Sequence, residues 1–414
     1  MKILLSAYAC EPNTGSEPEV GWQMPNQLAI LMPQHDFYVI TKQNNKQKIE
    51  LERYPSNLHF IYYELPIWLR FWKKGSRGIR TYYYIWSFGA ALYVKRQNIP
   101  FDIIHHLTFV TDHMASFMHF NKNKNTNFIW GPIGGNEWIP WKFLDRNRYK
   151  LKEIIKGIIQ IFTRRFDPFF YICKFRTDLV IGSGKYVKKR LRLNTKNNFI
   201  VESPIGMKKD FVESIQKENK DTEDFIILSV GRLIQIKNFK LSILAFKLFL
   251  INNPSIRNVK LTIVGKGEDE ESLKKLVKTL AIEDKVEFVG KVSLLEVQEY
   301  FAKADLFLFP TLEMAGFVIL EAMSHYLPVI ALDFGGPKEF IIHDKESQLV
   351  SAKYNYREIT MFLAKKIEVL YYNEILREEI GFQNHLDVLK YFTWEAKAQK
   401  IKEIYFKLSN SEIV

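Results

Sequence analysis

A stretch of 35 residues, 305–339, constrains the fold of this chain more strongly than any other part of the sequence. A short apolar run at 305–309 has strand character and is followed by a loop that contains Pro310. Gly316 then precedes a helical segment that runs through Tyr326, and a second apolar run, 328–332, ends at the glycine pair Gly335 and Gly336. The order of strand, loop, helix and strand predicts a βαβ unit of a parallel sheet.

Two carboxylates lie in this unit, Glu313 in the loop and Glu321 on the helix, with seven residues between them. A loop that leaves a strand and opens a helix presents backbone N–H groups at the positive end of the helix dipole, which suits a phosphate. Glu313 would lie beside that phosphate, and Glu321 about two turns along the helix could bind the hydroxyls of a nucleotide's sugar. Two glutamates also occur at this spacing by chance, so the spacing alone leaves both interpretations open.

The length and composition indicate a globular protein with room for two domains. The chain has 414 residues, 47% of them hydrophobic, which is enough for two separate cores. Its two cysteines, Cys10 and Cys173, lack metal-ligand spacing and are expected to be free thiols of a reducing compartment. The N-terminal residues predict a strand rather than a signal peptide, and the longest uncharged apolar run, 82–94, is too short to span a bilayer. We expect a protein that is cytoplasmic or peripheral to a membrane.

The positive charge is concentrated in the first half of the chain. Residues 1–205 hold 30 Lys and Arg against 15 Asp and Glu, a net charge of +15, whereas residues 206–414 hold 29 against 31. The net charge of +13 therefore comes entirely from the first half. We expect the two halves to meet different partners.

Two stretches of the first half mix cations with apolar side chains. The first, 65–101, has no acidic residue and contains Arg70, Lys73, Lys74, Arg77, Arg80, Lys95 and Arg96 with Trp68, Phe71, Trp72, Tyr82, Tyr83, Tyr84 and Trp86. The second, 146–176, contains Arg148, Lys150, Lys152, Lys156, Arg164 and Arg165 with Ile158, Ile159, Ile161, Phe162, Phe166, Phe169 and Phe170. Such mixtures suit the headgroup boundary of an anionic membrane. The alternative is that the aromatic side chains form the core and the cations a solvated face.

The rest of the chain alternates predicted strands with helices, which indicates a doubly wound α/β protein. Further strands are predicted at 2–7, 37–41, 58–63, 102–106, 128–130, 179–183, 225–230, 261–267 and 286–290, and helices at 20–31, 239–251 and about 394–410. A loop at 11–22 contains Gly15 and Gly21, and a second glycine-rich loop contains Gly131, Gly134 and Gly135. Residues 204–206 are expected to link the two domains.

Several motifs of the chain resemble those of the retaining glycosyltransferases of family four (group 1), which have the GT-B fold. The residues that carry the resemblance to their E-x7-E signature are Pro310-Thr311, Glu313, Leu320-Glu321-Ala322-Met323, Leu327-Pro328-Val329-Ile330 and Gly335-Gly336. The string Gly231-Arg232-Leu233, followed by Lys237, matches a second motif of the family. One departure is Glu313-Met314-Ala315-Gly316, where the family usually has Glu-Gly-Phe-Gly. The resemblance covers essentially the second half of the chain and parts of the first.

The resemblance implies two Rossmann-like domains that face each other across a cleft. Residues 1–205 would bind the acceptor, residues 206–393 the nucleotide sugar, and the helix at about 394–410 would pack back on the first domain. The reaction would be transfer of a sugar from a UDP- or GDP-sugar to a hydroxyl, with retained anomeric configuration. The acceptor would be a lipid-linked or cell-surface glycan intermediate at the inner face of the cell membrane.

The resemblance also assigns roles to individual residues. Arg232 and Lys237 would neutralise the departing diphosphate, together with the backbone amides of Gly316, Phe317 and Val318. Glu321 would hold the ribose and Glu313 the hydroxyls of the donor sugar. In the first half, Gly15 would lie in the loop that faces the donor's phosphates and the acceptor.

An active-site histidine is expected just after the strand at 102–106. The family usually has His-x-His, whereas His105 and His106 are adjacent here. His106 is the predicted residue that touches the donor sugar, with His105 and His113 as further candidates. The alternative is that these histidines have no catalytic role and only cap a strand or point into solvent.

Alternatives to a glycosyltransferase stay open at this point. A nucleotide-sugar epimerase of the same fold needs no acceptor, and a non-catalytic binder of nucleotide sugars or nucleic acid would also suit the basic half. The basic stretches contain no recognisable RNA-binding motif, so no nucleic-acid partner is expected. No Asp-x-Asp string occurs, and we therefore expect no metal-bridged diphosphate and no cofactor.

Overall fold

The computed structural model describes residues 1–73, 75, 78–134, 138–144, 147–193, 198–217 and 224–410. The chain divides into two compact units. Unit 1 comprises Met1–Gly135, Ile154–Gly206 and Trp394–Val414. Unit 2 comprises Asn136–Glu153 and Met207–Thr393.

Within its described residues, unit 1 has a parallel sheet of seven strands in the order β3-β2-β1-β4-β5-β6-β7. The strands are β1 (Lys2–Ser6), β2 (Asp36–Lys42), β3 (Leu58–Tyr63), β4 (Ile103–His106), β5 (Asn127–Ile133), β6 (Leu179–Gly182) and β7 (Asn198–Val201). The helices between β1 and β7 are α1 (Ser16–Leu31), α2 (Lys46–Ile49), α3 (Ile67–Arg70), α4 (Ile79–Arg96), α5 (Asn147–Phe166), α6 (Pro168–Arg176) and α7 (Tyr186–Arg190). Residues 147–153 of α5 are grouped with unit 2, and the rest of the helix with unit 1.

The described part of unit 2 has a second parallel sheet, of six strands in the order β10-β9-β8-β11-β12-β13. The strands are β8 (Phe225–Val230), β9 (Val259–Val264), β10 (Val286–Gly290), β11 (Leu306–Leu308), β12 (Val329–Leu332) and β13 (Leu349–Val350). The helices are α8 (Lys209–Ser214), α9 (Phe239–Asn252), α10 (Glu270–Thr279), α11 (Leu294–Lys303), α12 (Phe317–Ser324), α13 (Gly335–Phe340), α14 (Lys345–Gln348), α15 (Tyr356–Tyr372) and α16 (Glu374–Tyr391).

The last helix, α17 (Trp394–Ser409), belongs to unit 1. Tyr405 of α17 is fully buried, and its hydroxyl lies 2.7 Å from Nδ1 of His105 on β4. Lys397, only 1% exposed, donates to Glu202 Oε1 at 2.6 Å. These buried contacts hold the end of the chain on the unit that contains its beginning.

The boundary predicted between the domains is wrong for one segment. Residues 136–153 group with unit 2, whereas the sequence places them in the first domain. The reason is packing, because Phe143 and Leu144 are buried and Gln235 Nε2 donates to Phe143 O at 2.9 Å.

Several predicted element bounds shift in the structure. Helix α1 begins at Ser16 rather than at 20, β9 ends at Val264 rather than at 267, and β5 continues through Gly131 to Ile133. The second glycine-rich loop is therefore partly strand, and Gly131 is held there by close packing, since a Cβ on it would lie 2.1 Å from Ile181 O.

Gly135, Lys74 and Arg77 lie outside the described residues, as does the side chain of Arg148. Strands β7 and β13 were not predicted.

The core of unit 1 contains aromatic residues that the sequence offered as membrane-facing. Tyr82, Tyr83 and Trp86 of α4 are at most 4% exposed and pack with the sheet, and Phe170 of α6 is also buried. For these four residues the docking interpretation is wrong, because they supply the apolar layer that covers one face of the sheet. Both cysteines are buried as free thiols. No helix within the described ranges combines the length and apolarity needed to cross a membrane.

Candidate active site

The loops that follow β8 and β11 are joined at the carboxyl edge of the second sheet. These two strands are neighbours in the sheet, so their carboxyl ends lie side by side. Ile236 O accepts a hydrogen bond from Leu312 N at 2.8 Å. Asn238, whose backbone is left-handed with φ 57°, donates from Nδ2 to Pro310 O at 3.2 Å. The cation-bearing loop and the glutamate-bearing loop thus form one rigid rim.

Lys237 and Glu313 form an ion pair on this rim. Lys237 Nζ lies 2.7 Å from Glu313 Oε2, and their side chains are 14% and 24% exposed. Nζ also lies 5.1 Å from the centroid of the Phe309 ring. A Cβ on Gly231 would come within 2.9 Å of Lys237 Cδ, so the glycine of the Gly-Arg-Leu string makes room for the lysine chain. The pair is partly desolvated, which strengthens its interaction with a bound charge.

The backbone at Glu313 is held by its neighbours. Glu313 N donates to Thr311 Oγ1 at 3.2 Å, and Glu313 O accepts from Gly336 N at 2.9 Å. Gly335 has φ +62°, and a Cβ on it would lie 2.1 Å from Glu313 O. Only glycine fits at this position, because any side chain would collide with the carbonyl. The Gly335-Gly336 pair therefore positions Glu313.

Glu321 lies on α12 and is partly buried. Removal from water raises the pKa of its carboxyl to about 7, although the charge of Lys237 acts to lower it. Glu321 therefore changes its charge near neutral pH, and it lies within electrostatic reach of Lys237. The same helix begins after Gly316, and the amides of its first turn, including those of Phe317 and Val318, have no acceptor inside the helix.

Arg232 is exposed and borders a cavity of about 560 Å³ within unit 2. Other parts of the wall come from Gly267 and Leu312, and from Ile139, Phe143 and Tyr149 of the segment assigned by sequence to the other domain. Sequence reasoning missed these three residues. The signal that could have found them is the run 138–144, in which Lys142 is the only charged residue and whose apolar side chains, such as Phe143 and Leu144, need a core to pack into.

Gly15 lies in unit 1 at the start of α1, with φ +66°. No atom lies within 4 Å of the place where a Cβ would stand. The left-handed backbone favours glycine here, while the space above it is open. Its predicted contact with the donor stays a prediction.

His106 is buried in unit 1 and is neutral near pH 7, since burial lowers its pKa to about 3. Its Nε2 lies 3.0 Å from Thr108 O and 2.6 Å from the Tyr83 hydroxyl. Because a carbonyl only accepts, Nε2 carries the proton and Nδ1 is an acceptor. No described residue donates to that buried Nδ1.

The two other candidate histidines are held in contacts that stabilise unit 1. His105 Nε2 donates to Gly131 O at 2.7 Å, so its Nδ1 accepts from Tyr405, and burial lowers its pKa to about 4. His113 Nδ1 lies 3.1 Å from Asp112 Oδ1. Of the three histidines, His106 has a fully buried ring nitrogen, Nδ1, that no described residue binds.

Asp112 is the centre of an ion cluster that sequence reasoning did not single out. Its Oδ2 accepts from Arg164 Nη1 at 2.8 Å and from Arg190 Nη1 at 2.9 Å, and the carboxylate is fully buried. Burial acts to raise the pKa of Asp112, but the His113 hydrogen bond and the two arginines outweigh it and lower the pKa below 3.8. The cluster ties α5 and α7 to the loop after β4.

Comparison with known proteins finds a family model that matches most of the second unit. Residues 210–384 match the model of the family Glycosyl transferases group 1. The chain is 27% identical to the N-acetyl-alpha-D-glucosaminyl L-malate synthase of Bacillus anthracis over 55% of this chain and 57% of that protein. It is 28% identical to an uncharacterized glycosyltransferase of Methanocaldococcus jannaschii over 58% of this chain and 63% of that protein. The chain spans about half the length of the curated relatives that it matches.

Solved structures share the fold over nearly the whole chain. A glycosyltransferase from Rickettsia africae, 17% identical, covers 99% of this chain and 98% of its own with a TM-score of 0.63. Anabaena HepE in complex with UDP-glucose, 15% identical, covers 98% of this chain and 100% of its own with a TM-score of 0.58. The predicted fold class, α/β with two Rossmann-like parallel-sheet domains of the GT-B kind, is confirmed.

Proposed function

We propose that this chain, whose residues 210–384 match group 1 glycosyl transferases, is a retaining glycosyltransferase that uses a nucleotide diphosphate sugar. The observation that carries the proposal is the Lys237–Glu313 ion pair at the carboxyl edge of the second sheet, with Glu321 within reach of its charge. Ligands of doubly wound sheets bind at this edge. The expected product retains the anomeric configuration of the donor sugar.

In the proposed reaction, the bond between the anomeric carbon and the diphosphate oxygen breaks, and the oxygen of the acceptor hydroxyl forms a new bond to that carbon. The proton of the acceptor hydroxyl passes to the leaving diphosphate. Negative charge grows on the leaving diphosphate, and Arg232 and Lys237 lie on the loop that would stabilise it, with the first-turn amides of α12. The ammonium of Lys237 has three donors, so it can bind a phosphate oxygen while it keeps Glu313 in place. Glu313 then accepts hydrogen bonds from hydroxyls of the donor sugar.

Residues of unit 1 complete the proposal. His106, whose ring is neutral, would touch the donor sugar, and a sugar hydroxyl would reach its buried Nδ1 acceptor only after the side chains around it move aside. Gly15 would let the backbone before α1 approach the donor's phosphates, which the open space above it supports. The acceptor would be a lipid-linked or cell-surface glycan intermediate at the inner face of the cell membrane, consistent with the excess positive charge of residues 1–205.

Binding of the nucleotide sugar should weaken about tenfold when the pH falls from about 8 to 6. The pKa of Glu321 is raised to about 7, so the carboxyl is ionised above this pH and protonated below it. Only the ionised form accepts hydrogen bonds from both ribose hydroxyls with all its oxygen lone pairs. Titration calorimetry with an intact nucleotide sugar measures the affinity, and Glu321→Gln should bind weakly and with little dependence on pH. The same pH dependence in this variant would show that another group is responsible.

Donor binding should need no added metal, because Arg232 and Lys237 supply the positive charge that a metal would otherwise bring. A thermal-shift panel of UDP- and GDP-sugars in the presence of a chelator tests this and identifies the donor. We expect one sugar nucleotide to raise the melting temperature of the chain, and to be consumed only when an acceptor is present. Stabilisation that appears only with magnesium or manganese would contradict the metal-free site. Conversion of the sugar nucleotide alone into another one would indicate an epimerase.

A further inference from the structure

Helix α5 exposes its apolar side chains. Its exposed apolar residues in unit 1 include Ile154, Ile155, Ile158, Ile161, Phe162 and Phe166, which are between 41% and 65% exposed. On a helix of 3.6 residues per turn, positions 155, 158, 162 and 166 follow one stripe. A monomeric protein rarely leaves a contiguous apolar surface of this kind open to water.

The opposite side of α5 is small or polar, and it faces the interior of the unit. Gly157 and Gln160 are buried, and Arg164 donates to the buried carboxylate of Asp112. A surface helix normally turns its apolar side inward and its polar side to water. In α5 this arrangement is reversed, because the polar side faces the interior of the unit. The Asp112–Arg164 ion pair stabilises this orientation of the helix.

The apolar surface continues onto α6, which follows after the single residue Asp167. Phe169, Ile172 and Phe175 of α6 are 38%, 44% and 91% exposed. Asp167 caps this helix by accepting from Phe169 N at 2.9 Å, and it also accepts from the Tyr84 hydroxyl at 2.6 Å. The turn between the two helices is therefore fixed to α4. We refer to the exposed apolar side chains of α5 and α6 together as the docking surface.

The segment of the chain that carries the docking surface is basic. Residues 146–193 contain fourteen Lys and Arg and three acidic residues. Each of the three carboxylates is engaged: Glu153 accepts from Ile139 N, Asp167 caps α6, and Asp178 pairs with Lys122 at 2.5 Å. A second copy of so basic a surface would be repelled, whereas anionic headgroups complement it.

We propose that α5 and α6 lie on an anionic lipid bilayer with the apolar side chains of the docking surface inserted at the headgroup boundary. Apolar side chains gain free energy by leaving water, and cations beside them gain from the negative surface potential. The choice of partner rests on the proposed function, since a lipid-linked acceptor is reached at such a surface. Docking itself requires no sugar transfer.

Sedimentation of the full chain with vesicles tests the proposal without nucleotide sugar. We expect strong binding to phosphatidylcholine vesicles that contain phosphatidylglycerol, much weaker binding to phosphatidylcholine alone, and weaker binding at high salt. Ile158→Glu with Phe162→Glu should lower the partition coefficient at least about tenfold, because two inserted side chains become charged. Phe175→Glu alone should lower it as well, and its side chain is too exposed for folding to depend on it.

The matched control is Ile251→Glu with Phe382→Glu, two side chains of unit 2 that are 59% and 57% exposed. This variant should bind vesicles as the parent chain does. Equal binding of the parent chain to neutral and anionic vesicles, or to neither, would overturn the proposal, as would an equal loss in the control. A dimer in sedimentation velocity that Ile158→Glu with Phe162→Glu disrupts, without vesicle binding, would assign the surface to a second copy. Any of these results leaves the glycosyltransferase assignment standing, because that assignment depends on unit 2.

Discussion

Replacing Glu313 with glutamine should slow sugar transfer by about a hundredfold or more while leaving the chain folded. Glutamine keeps the size of the side chain and one carbonyl acceptor, but it removes the charge that lies 2.7 Å from Lys237 Nζ. The lysine is then no longer held by an anion, and the hydroxyls of the donor sugar lose a charged acceptor. Lys237→Ala should have an effect of the same size, because the cation beside the leaving diphosphate is lost.

The ion pair Lys274–Glu270 provides a matched control in the same unit. Its nitrogen and oxygen are 2.8 Å apart, but it lies exposed on α10. Lys274→Ala and Glu270→Gln should leave transfer unchanged, since exposed pairs contribute little to stability and neither residue is among those that line the cavity beside Arg232. The rate of release of the nucleotide diphosphate measures turnover, and circular dichroism shows whether each variant is folded. Near-normal turnover of a folded Glu313→Gln or Lys237→Ala variant would show that the Lys237–Glu313 rim is not the active site.

Asp112→Asn should destabilise unit 1 by about 3 kcal/mol or more. The asparagine cannot neutralise the guanidinium groups of Arg164 and Arg190, which are 16% and 15% exposed and lie 2.8 and 2.9 Å from the carboxylate. Removing one partner of a buried ion cluster leaves the others buried without a counter-charge. The midpoint of urea unfolding, followed with hydrogen exchange of α5, measures the loss. Amide exchange of α5 should accelerate, because Arg164 joins this helix to the unit.

The loss of folding stability caused by Asp112→Asn should depend on pH in a defined direction. The pKa of Asp112 is lowered in the folded chain, so the stability that its charge contributes is present above 3.8 and disappears as the pH falls through the folded value. The difference between Asp112→Asn and the parent chain should therefore be constant near neutral pH and shrink in acid. Glu378→Gln, which breaks the exposed pair with Lys217, is the control and should cost less than about 1 kcal/mol. If Asp112→Asn also costs less than about 1 kcal/mol, the Asp112 ion cluster does not stabilise unit 1 as we expect.

Local patterns in the sequence were sufficient to predict most strands and the fold class. The runs 225–230 and 58–63 are apolar or β-branched segments between polar turns, and β8 and β3 form at these residues. The helix after Gly316 and the glycine pair 335–336 were also predictable, because the first depends on local periodicity and the second on backbone geometry. The two-residue strand β13 was not, since so short a segment becomes a strand only by pairing with β12.

Contacts between distant residues could not be predicted from the residues alone. Lys237 and Glu313 are 76 residues apart, and they meet because β8 and β11 are neighbours in the sheet. The sequence left open whether the aromatic residues of 65–101 are core or surface, because period and composition do not say which side of α4 meets the sheet. The structure buries Tyr82, Tyr83 and Trp86.

Helix α5 shows most clearly what tertiary structure decides. Its periodicity by itself would direct Ile158 and Phe162 inward, and its sequence determines only that apolar and polar residues lie on opposite sides. The structure turns the polar side inward, where Arg164 joins Arg190 and His113 around the buried carboxylate of Asp112. A guanidinium in such a cluster loses its counter-charge if the helix turns over, and that loss opposes burial of the apolar side. The sequence thus determined the elements and the motifs, while the pairing of distant charges and strands decided which side chains face the core, the site and the solvent.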